Sequence, residues 1–320
     1  MNKPGIVFMG TPEFAVASLD AIVNAGYRVK GVVTSPDKPS GRGLQLHPSP
    51  VKEFALKHGL PVLQPMKLKD PAFLKELREL DADLQVIVAF RMLPEEVWNM
   101  PPLGTFNLHA SLLPQYRGAA PINWAVINGE TKTGVTTFFL NHEIDKGSVI
   151  HTDEISIAEH ENAGEVHDRL MVIGAGLVVK TIVDISKGAV VPVEQHKLKI
   201  NEPLRPAPKI SKHDCRIQWK SEALKIHNFI RGLSPYPTAW SEMINKNGEA
   251  ITAKIYSGRY EIKSHLLSAG SIVSDGRHYL SIAAVDGYIH VDRIQQQAKK
   301  QMPVEEFLRG FPGIELYRFV

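Results

Sequence analysis

Residues 6–34, IVFMGTPEFAVASLDAIVNAGYRVKGVVT, decide the fold class of this chain. They begin with a short apolar run from Ile6 to Met9 and a turn at Gly10-Thr11-Pro12. Apolar residues then recur at helical spacing from Phe14 to Ala25, and a second apolar run follows from Val29 to Thr34. A strand, a helix and a second strand in this order predict a parallel pair of strands joined by a crossover helix.

The same alternation continues along the first part of the chain. The further elements predicted there are helices at 51–58 and 71–80, strands at 84–90, 105–110 and 135–140, and a long helix at 163–185. We therefore expect an α/β fold with a doubly wound, mostly parallel sheet.

The second part of the chain has a different pattern. Residues 188–212 are rich in proline and show neither helical nor strand periodicity. The elements predicted beyond them are a helix at 221–231, short strands at 250–256, 269–274, 279–283 and 287–291, and a final helix at 303–309. Closely spaced short strands are typical of a small β-barrel or sandwich. The sequence thus predicts domains at 1–189 and 209–320, joined by a linker at 190–208.

Composition restricts the class of protein. Of the 320 residues, 43% are hydrophobic and 22% are charged, which excludes disordered and collagen-like chains. The single cysteine, Cys215, can form no internal disulfide, and no Cys/His spacing typical of zinc is found. The longest apolar stretch, 170–179, is too short to span a bilayer, and no secretory signal is visible. We expect a cytoplasmic, globular protein without a metal or a membrane partner.

The net charge of +3 is unevenly divided. Residues 1–190 hold 18 Lys and Arg against 21 Asp and Glu, a net of −3, whereas residues 191–320 hold 19 against 13, a net of +6. This asymmetry suggests that the C-terminal part faces a polyanion, although an ordinary solvated surface is the alternative interpretation.

The first strand-to-helix turn does not fit a nucleotide site. Gly10-Thr11-Pro12-Glu13-Phe14 has one glycine where a dinucleotide fingerprint needs three, and Glu13 would direct negative charge at a phosphate. No nicotinamide or flavin cofactor is therefore expected. A Walker-type lysine and an HExxH pair are also absent from the sequence.

Polar residues at the ends of two strands are candidates for chemistry. Asn107 and His109 lie at i and i+2 on one predicted strand, so they share a face near the carboxyl edge of the sheet, where open α/β sheets bind ligands. A carboxylate from 141–147, which follows another apolar strand, could reach the imidazole and fix its tautomer. The alternative is that both residues satisfy loop backbone groups.

The region around these residues resembles a known family. Residues 104–124, GTFNLHASLLPQYRGAAPINW, closely resemble the signature of the folate-dependent formyltransferases. The supporting matches are Gly10-Thr11-Pro12, 41–43 with 48–52, the Asp145 loop, and 207–210 with 217–219. The match is strongest with the members that formylate methionyl-tRNA, and it covers both halves of the chain.

The resemblance implies a reaction and a fold. It implies transfer of a formyl group from 10-formyltetrahydrofolate to the α-amino group of methionine on initiator methionyl-tRNA, for translation initiation. Asn107, His109 and Asp145 occupy the positions of the family's catalytic triad. The amine would attack the formyl carbonyl directly, without a covalent enzyme intermediate. The implied fold is a Rossmann-like formyltransferase domain followed by an OB-like tRNA-binding barrel.

The resemblance also implies two sets of binding residues. The folate co-substrate would contact Phe90, Arg91, Met92, Leu93, Ser111, Leu112, Leu113 and Pro114. The tRNA would contact Lys38, Arg42, Arg205, Lys209 and Lys212. A monomer is expected.

Three departures from the family pattern concern binding, and the reaction type is unaffected by them. Leu44-Gln45 stand where many relatives carry lysines, Arg91 where glycine is frequent, and Lys146 where Thr or Ala is common. Two alternatives stay open: a formyltransferase that acts on a nucleotide-linked amino sugar, and a non-catalytic RNA-binding module.

Overall fold

The computed structural model describes residues 3–40, 45–200 and 202–320 of the chain. The strands of this described part are β1 Gly5–Gly10, β2 Arg28–Val33, β3 Lys38–Ser40, β4 Gln45–His47, β5 Val62–Leu63, β6 Leu84–Val88, β7 Thr105–His109, β8 Lys132–Phe139, β9 Val149–Ser156, β10 Ala239–Asn245, β11 Ala250–Ile262, β12 Ile272–Ser274, β13 Leu280–Ala283, β14 Gly287–Gln296, β15 Met302–Pro303 and β16 Tyr317–Phe319. Its α-helices are α1 Glu13–Asn24, α2 Pro50–Lys57, α3 Pro71–Glu79, α4 Glu95–Trp98, α5 Pro121–Ile127, α6 Ala163–Ser186, α7 Ala223–Gly232 and α8 Val304–Arg309.

The chain forms two compact units. The first comprises Met1–Gly118, Gly134–Ile155 and His167–Pro206, and the second comprises Ala119–Thr133, Ser156–Val166 and Ala207–Val320. The segments 119–133 and 156–166 therefore belong with the C-terminal residues, although both precede the predicted linker at 190–208.

The first unit is built on a seven-stranded sheet with the strand order β5-β2-β1-β6-β7-β8-β9. The pairs β1–β2, β1–β6, β2–β5 and β6–β7 are parallel, and β8 runs antiparallel to β7. The predicted doubly wound, mostly parallel sheet is confirmed. β1 and β6 are buried along their whole length, as expected of parallel strands covered on both faces.

Local sequence signals fix the starts of two helices in this unit. The Ser49 hydroxyl accepts a hydrogen bond of 3.1 Å from the Lys52 N–H and caps α2, which begins with Pro50. The Asp70 carboxylate accepts one of 2.9 Å from the Ala72 N–H at the start of α3. A side-chain cap followed by proline satisfies one orphan donor and removes another.

The sequence pattern missed the last strand of this sheet. β9 is exposed over much of its length, so the edge position leaves it without the apolar run by which the other strands were recognised. The predicted strand 84–90 also ends early, at Val88, because Ala89 adopts a left-handed backbone with φ of 47°.

The second unit contains a nearly closed antiparallel barrel, which confirms the barrel alternative. Its strands are ordered β12-β13-β14-β11-β10-β16, with β15 paired to β14. The Phe319 N–H donates to the Gly270 carbonyl at 2.9 Å, and Ser271 bridges to Arg318, so the two ends of the sheet meet. β10 and β16 were not predicted; Ala239 and Ser241, which face inward on β10, are too small or polar to give a strand pattern.

Helix α7 covers the barrel core, with Ile226 and Ile230 buried among strand residues. Helix α5 belongs to the same unit: Ile127 packs against that core, and the Asn123 amide donates to the Gly232 carbonyl at 2.8 Å. Within the described ranges, no helix combines the length and the apolar composition needed to cross a bilayer.

The closure of the barrel predicts that two glycines differ sharply in the stability that is lost when each is replaced by alanine. Gly270 has φ of 85°, and a Cβ there would lie 2.1 Å from the Phe319 carbonyl oxygen, whereas Gly276 has φ of 73° with nothing within 4 Å. We expect Gly270→Ala to lower the free energy of unfolding by about 3 kcal/mol, and Gly276→Ala by about 1 kcal/mol, since only the former adds a clash to backbone strain. Urea denaturation checks this, and equal losses would contradict it.

Candidate active site

The two polar residues of β7 lie where the sequence placed them. β7 is flanked by β6 and β8, and His109 is its last residue. His109 is buried and Asn107, two residues earlier on the same face, is half-buried. Both side chains therefore sit at the carboxyl edge of the parallel part of the sheet.

The imidazole of His109 is fixed by a backbone group. Its Nε2 lies 2.9 Å from the carbonyl oxygen of Tyr116. Because a carbonyl can only accept, Nε2 must carry the hydrogen, and the neutral ring keeps its lone pair on Nδ1. The hydrogen bond thus selects one tautomer and leaves Nδ1 as the basic atom.

The loop after β7 is tied to β8. The Thr136 hydroxyl donates to the Ser111 carbonyl at 2.7 Å and accepts from the Leu113 N–H at 3.1 Å, and the Ser111 hydroxyl donates to the Gln115 carbonyl at 2.7 Å. These bonds satisfy an irregular segment and place the Tyr116 carbonyl beside Nε2 of the His109 ring.

Asp145 is anchored to the same loop. Its Oδ2 accepts a hydrogen bond of 3.1 Å from the Gly118 N–H, and its backbone is left-handed, with φ of 54°. His109 and Asp145 are thus held by residues 116 and 118, only two positions apart. In the described residues the imidazole is held through Tyr116 and has no direct hydrogen bond to the carboxylate.

Sequence reasoning missed two residues beside Asp145. Arg117 and the 3% exposed Gln195 are hydrogen-bonded to each other, and Gln195 also contacts the Asp145 loop. Burial lowers the pKa of the Arg117 guanidinium, and the Asp145 and Glu143 carboxylates oppose that shift. Gln195 lies in the proline-rich segment predicted as a linker, where no periodicity or motif drew attention to it.

The residues expected to contact folate are divided between exposed and packed positions. Met92 is exposed, whereas Phe90 and Leu93 pack against the core cluster that includes Val97. Leu113 is buried against Phe138. Leu112 is half-buried, and Ser111 and Pro114 are buried.

Arg91, one of the departures from the family pattern, holds the loop after β6. Its guanidinium donates to the Met66 carbonyl at 3.0 Å and to the Pro65 carbonyl, and it lies over the Phe90 ring. Burial lowers its pKa. Its Nε is a buried donor without a partner among the described residues.

Of the residues expected to contact tRNA, two fall outside what the structure describes: Arg42 altogether, and Lys38 for its side chain. The residue before Lys38 is firmly held, since the Asp37 carboxylate accepts from Lys52 at 2.5 Å and from Gln64 at 2.8 Å.

Arg205 belongs to the first unit and lies against the active-site loop. Its carbonyl accepts from the Tyr116 N–H at 2.7 Å, its N–H donates to the Gln115 side chain at 2.8 Å, and its guanidinium is 3.7 Å from Glu202.

Lys209 and Lys212 belong to the second unit, where both are exposed. They line a cavity of about 420 Å³ together with Lys254 and the rings of Tyr236 and Trp240. The Trp240 indole donates to the Lys212 carbonyl at 2.8 Å, which fixes the ring beside the lysines. Across the described part of the chain, no group of three or more His, Cys, Asp or Glu side chains could hold a metal ion.

Two family models match the chain. Residues 5–182 match the model described as formyl transferase, and residues 209–312 match the one described as formyl transferase, C-terminal domain.

Curated relatives match over nearly the full length. The methionyl-tRNA formyltransferase of Bacteroides fragilis is 56% identical over 313 residues, which cover 98% of this chain and 97% of that protein. The methionyl-tRNA formyltransferase of Bacteroides thetaiotaomicron is 56% identical over 306 residues, covering 96% and 95%. Among solved structures, an N-formyltransferase from Helicobacter canadensis in complex with folinic acid and dTDP-3-aminofucose has a TM-score of 0.62 at 19% identity, covering 94% of this chain and 100% of that one. At that identity the likeness shows the fold alone.

Proposed function

The chain belongs to the formyl transferase family, and from this membership we propose that it formylates initiator methionyl-tRNA with 10-formyltetrahydrofolate as the donor. The observation that carries the proposal is the 56% identity to a methionyl-tRNA formyltransferase along 98% of the chain, including the C-terminal unit. The amino-sugar alternative has only the shared fold behind it, at 19% identity.

The hydrogen bond made by His109 supports a proton-transfer role for this residue. When the α-amine attacks the formyl carbon, the nitrogen must lose a proton. With Nε2–H committed to the Tyr116 carbonyl, Nδ1 is the atom that accepts this proton, directly or through one water. The Tyr116 carbonyl also stabilises the resulting imidazolium, because Nε2–H is a stronger donor when the ring is charged.

Asn107 supplies the second element of catalysis. The attack turns the formyl oxygen into an oxyanion, and the Asn107 amide, on the same face of β7 as His109, can donate a hydrogen bond to it. Asp145 contributes negative charge near the nitrogen that becomes positive, from a carboxylate held by the Gly118 N–H. The tetrahedral intermediate then collapses: the C=O bond re-forms, the bond between the formyl carbon and the folate nitrogen breaks, and the imidazolium gives the proton taken from the amine to that departing nitrogen.

The C-terminal unit suits an RNA partner. Lys209, Lys212 and Lys254 lie beside two aromatic rings, Tyr236 and Trp240, in one cavity. Lysines neutralise phosphates and aromatic rings stack on unpaired bases, which is the usual combination at single-stranded nucleic acid sites.

The proposed aminoacylated tRNA substrate and the single, unpaired cysteine, Cys215, are compatible with a cytoplasmic location.

A substrate comparison tests the function. Formylation should be followed with charged initiator methionyl-tRNA, charged elongator methionyl-tRNA and a nucleotide-linked amino sugar, each with 10-formyltetrahydrofolate. We expect transfer to the initiator tRNA at the highest kcat/KM. Preference for the amino sugar would replace the proposal by its enzymatic alternative, and turnover of none would favour a non-catalytic RNA-binding module.

Two substitutions test the catalytic assignment. We expect Asn107→Ala to lower the single-turnover rate by about 10²–10³, the usual effect of losing an oxyanion donor. We expect His109→Ala to lower it by about 10²–10⁴, the range for a lost general base. Asn99→Ala, an exposed position after α4, is the control and should be neutral. A near-native rate in either site variant would contradict its assigned role.

Salt dependence tests the tRNA contacts. Each phosphate contact steepens the fall of log affinity with log salt concentration by about 0.7–0.9. Lys209→Ala and Lys212→Ala should each flatten the slope by about that amount, whereas Lys187→Ala, an exposed lysine of the first unit, should leave it unchanged. Filter binding of methionyl-tRNA over a salt series measures the slope, and an unchanged slope would remove that lysine from the interface.

A further inference from the structure

We propose that Gln195 is a positioning residue for formyl transfer: its buried side-chain amide sets the shape of the loop that carries Asp145. The inference rests on the proposed function. Gln195 lies outside both matched family ranges, 5–182 and 209–312, so neither match assigns it a role.

The amide joins the turn from Asp145 to Gly147 with Arg117. Its Nε2 donates to the Asp145 carbonyl at 2.8 Å and to the Gly147 carbonyl at 2.9 Å. Its Oε1 accepts from Arg117 Nε at 2.9 Å and from Nη2 at 2.6 Å. A carboxamide offers two donors and an acceptor at once, which a carboxylate or an ammonium cannot do. Both the nitrogen and the oxygen of this buried amide are therefore hydrogen-bonded.

The Asp145 loop needs these hydrogen bonds because its backbone is held in an unfavourable, tightly packed conformation. Asp145 holds a left-handed conformation, which is unfavourable for a residue with a Cβ. At Gly147 a Cβ would lie 1.6 Å from the Phe139 carbonyl oxygen, so the chain passes very close to the end of β8. Two carbonyls that converge on one amide nitrogen fix the turn between them, and the Asp145 carboxylate is aimed from that turn at the Gly118 N–H.

Gln195 is itself held in place from both sides. Two residues earlier, Val193 exchanges two backbone hydrogen bonds of 2.8 Å with Val149, the first residue of β9. Three residues later, Leu198 packs against the cluster formed by Leu113, Phe138 and Val149. The amide is thus presented by a segment anchored to the same sheet that carries His109, as expected for a positioning residue.

The test uses Gln195→Ala and Gln195→Glu in the full chain. The substitution to glutamate keeps an acceptor for Arg117 and removes both donors to the loop. We expect either variant to lower kcat by about 10²-fold, the scale of a small misplacement of reacting groups, with a much smaller change in the KM for tRNA. Gln301→Ala, at an exposed position, is the control. Circular dichroism and thermal melts establish that each variant is folded.

A double-substitution cycle separates positioning from general destabilisation. If Gln195 acts through Asp145, then Gln195→Ala in an Asp145→Asn background should lower the single-turnover rate far less than it does alone. A full additional loss in that background, or an unchanged kcat in a folded Gln195→Glu, would overturn the inference. A wild-type chain that formylates no methionyl-tRNA would instead refute the proposed function.

Discussion

A loop at the carboxyl edge of a sheet can pair only a few of its own backbone groups, and this constraint governs the candidate active site. Buried peptide groups without partners are costly, so each turn beyond β7 and β8 has to find donors or acceptors elsewhere. Thr136 serves the turn at Ser111, the His109 ring serves the Tyr116 carbonyl, and Gln195 serves the turn from Asp145 to Gly147. The same bonds that satisfy the loops also orient the groups proposed for chemistry.

The segment before the second family match is bonded to the loops of the candidate active site. In this segment, described as residues 193–200 and 202–205, Val193 pairs with the start of β9, Gln195 bonds the Asp145 loop, and Arg205 bonds the 115–116 turn. Apart from a 3-10 helix at Gln195–Lys197 this segment has little regular structure, but irregular backbone can be well ordered when side chains and neighbouring loops supply its hydrogen bonds. Arg205 thereby has a structural part in the first unit, whatever it contributes to tRNA binding.

Sequence pattern was sufficient to predict the doubly wound sheet, because α1 buries apolar residues at helical spacing and β1 and β6 are continuous buried runs. It missed β9, β10 and β16, whose exposed, small or polar residues give no such pattern. The shared face of Asn107 and His109 at a strand end was predictable from their spacing, whereas their catalytic role was expected from the family resemblance and stays a prediction. The hydrogen-bond partner of His109 was not predictable, since a backbone carbonyl such as that of Tyr116 has no signature in sequence. Gln195 was missed because its contacts span about 50 to 78 positions along the chain, and local patterns do not encode such distances.

The path of the chain through the two units limits how they can be exchanged in evolution or by protein engineering. Helix α5, which bonds to α7 through Asn123 and Gly232, is encoded far upstream of the barrel strands with which it belongs. A gene fragment for residues 209–320 alone would specify a barrel whose core lacks the Ile127 side chain that packs against it. The C-terminal residues are therefore poorly suited to transfer to another protein as one continuous piece. A fusion protein joined at the proline-rich segment would also have to include residues 119–133 and 156–166.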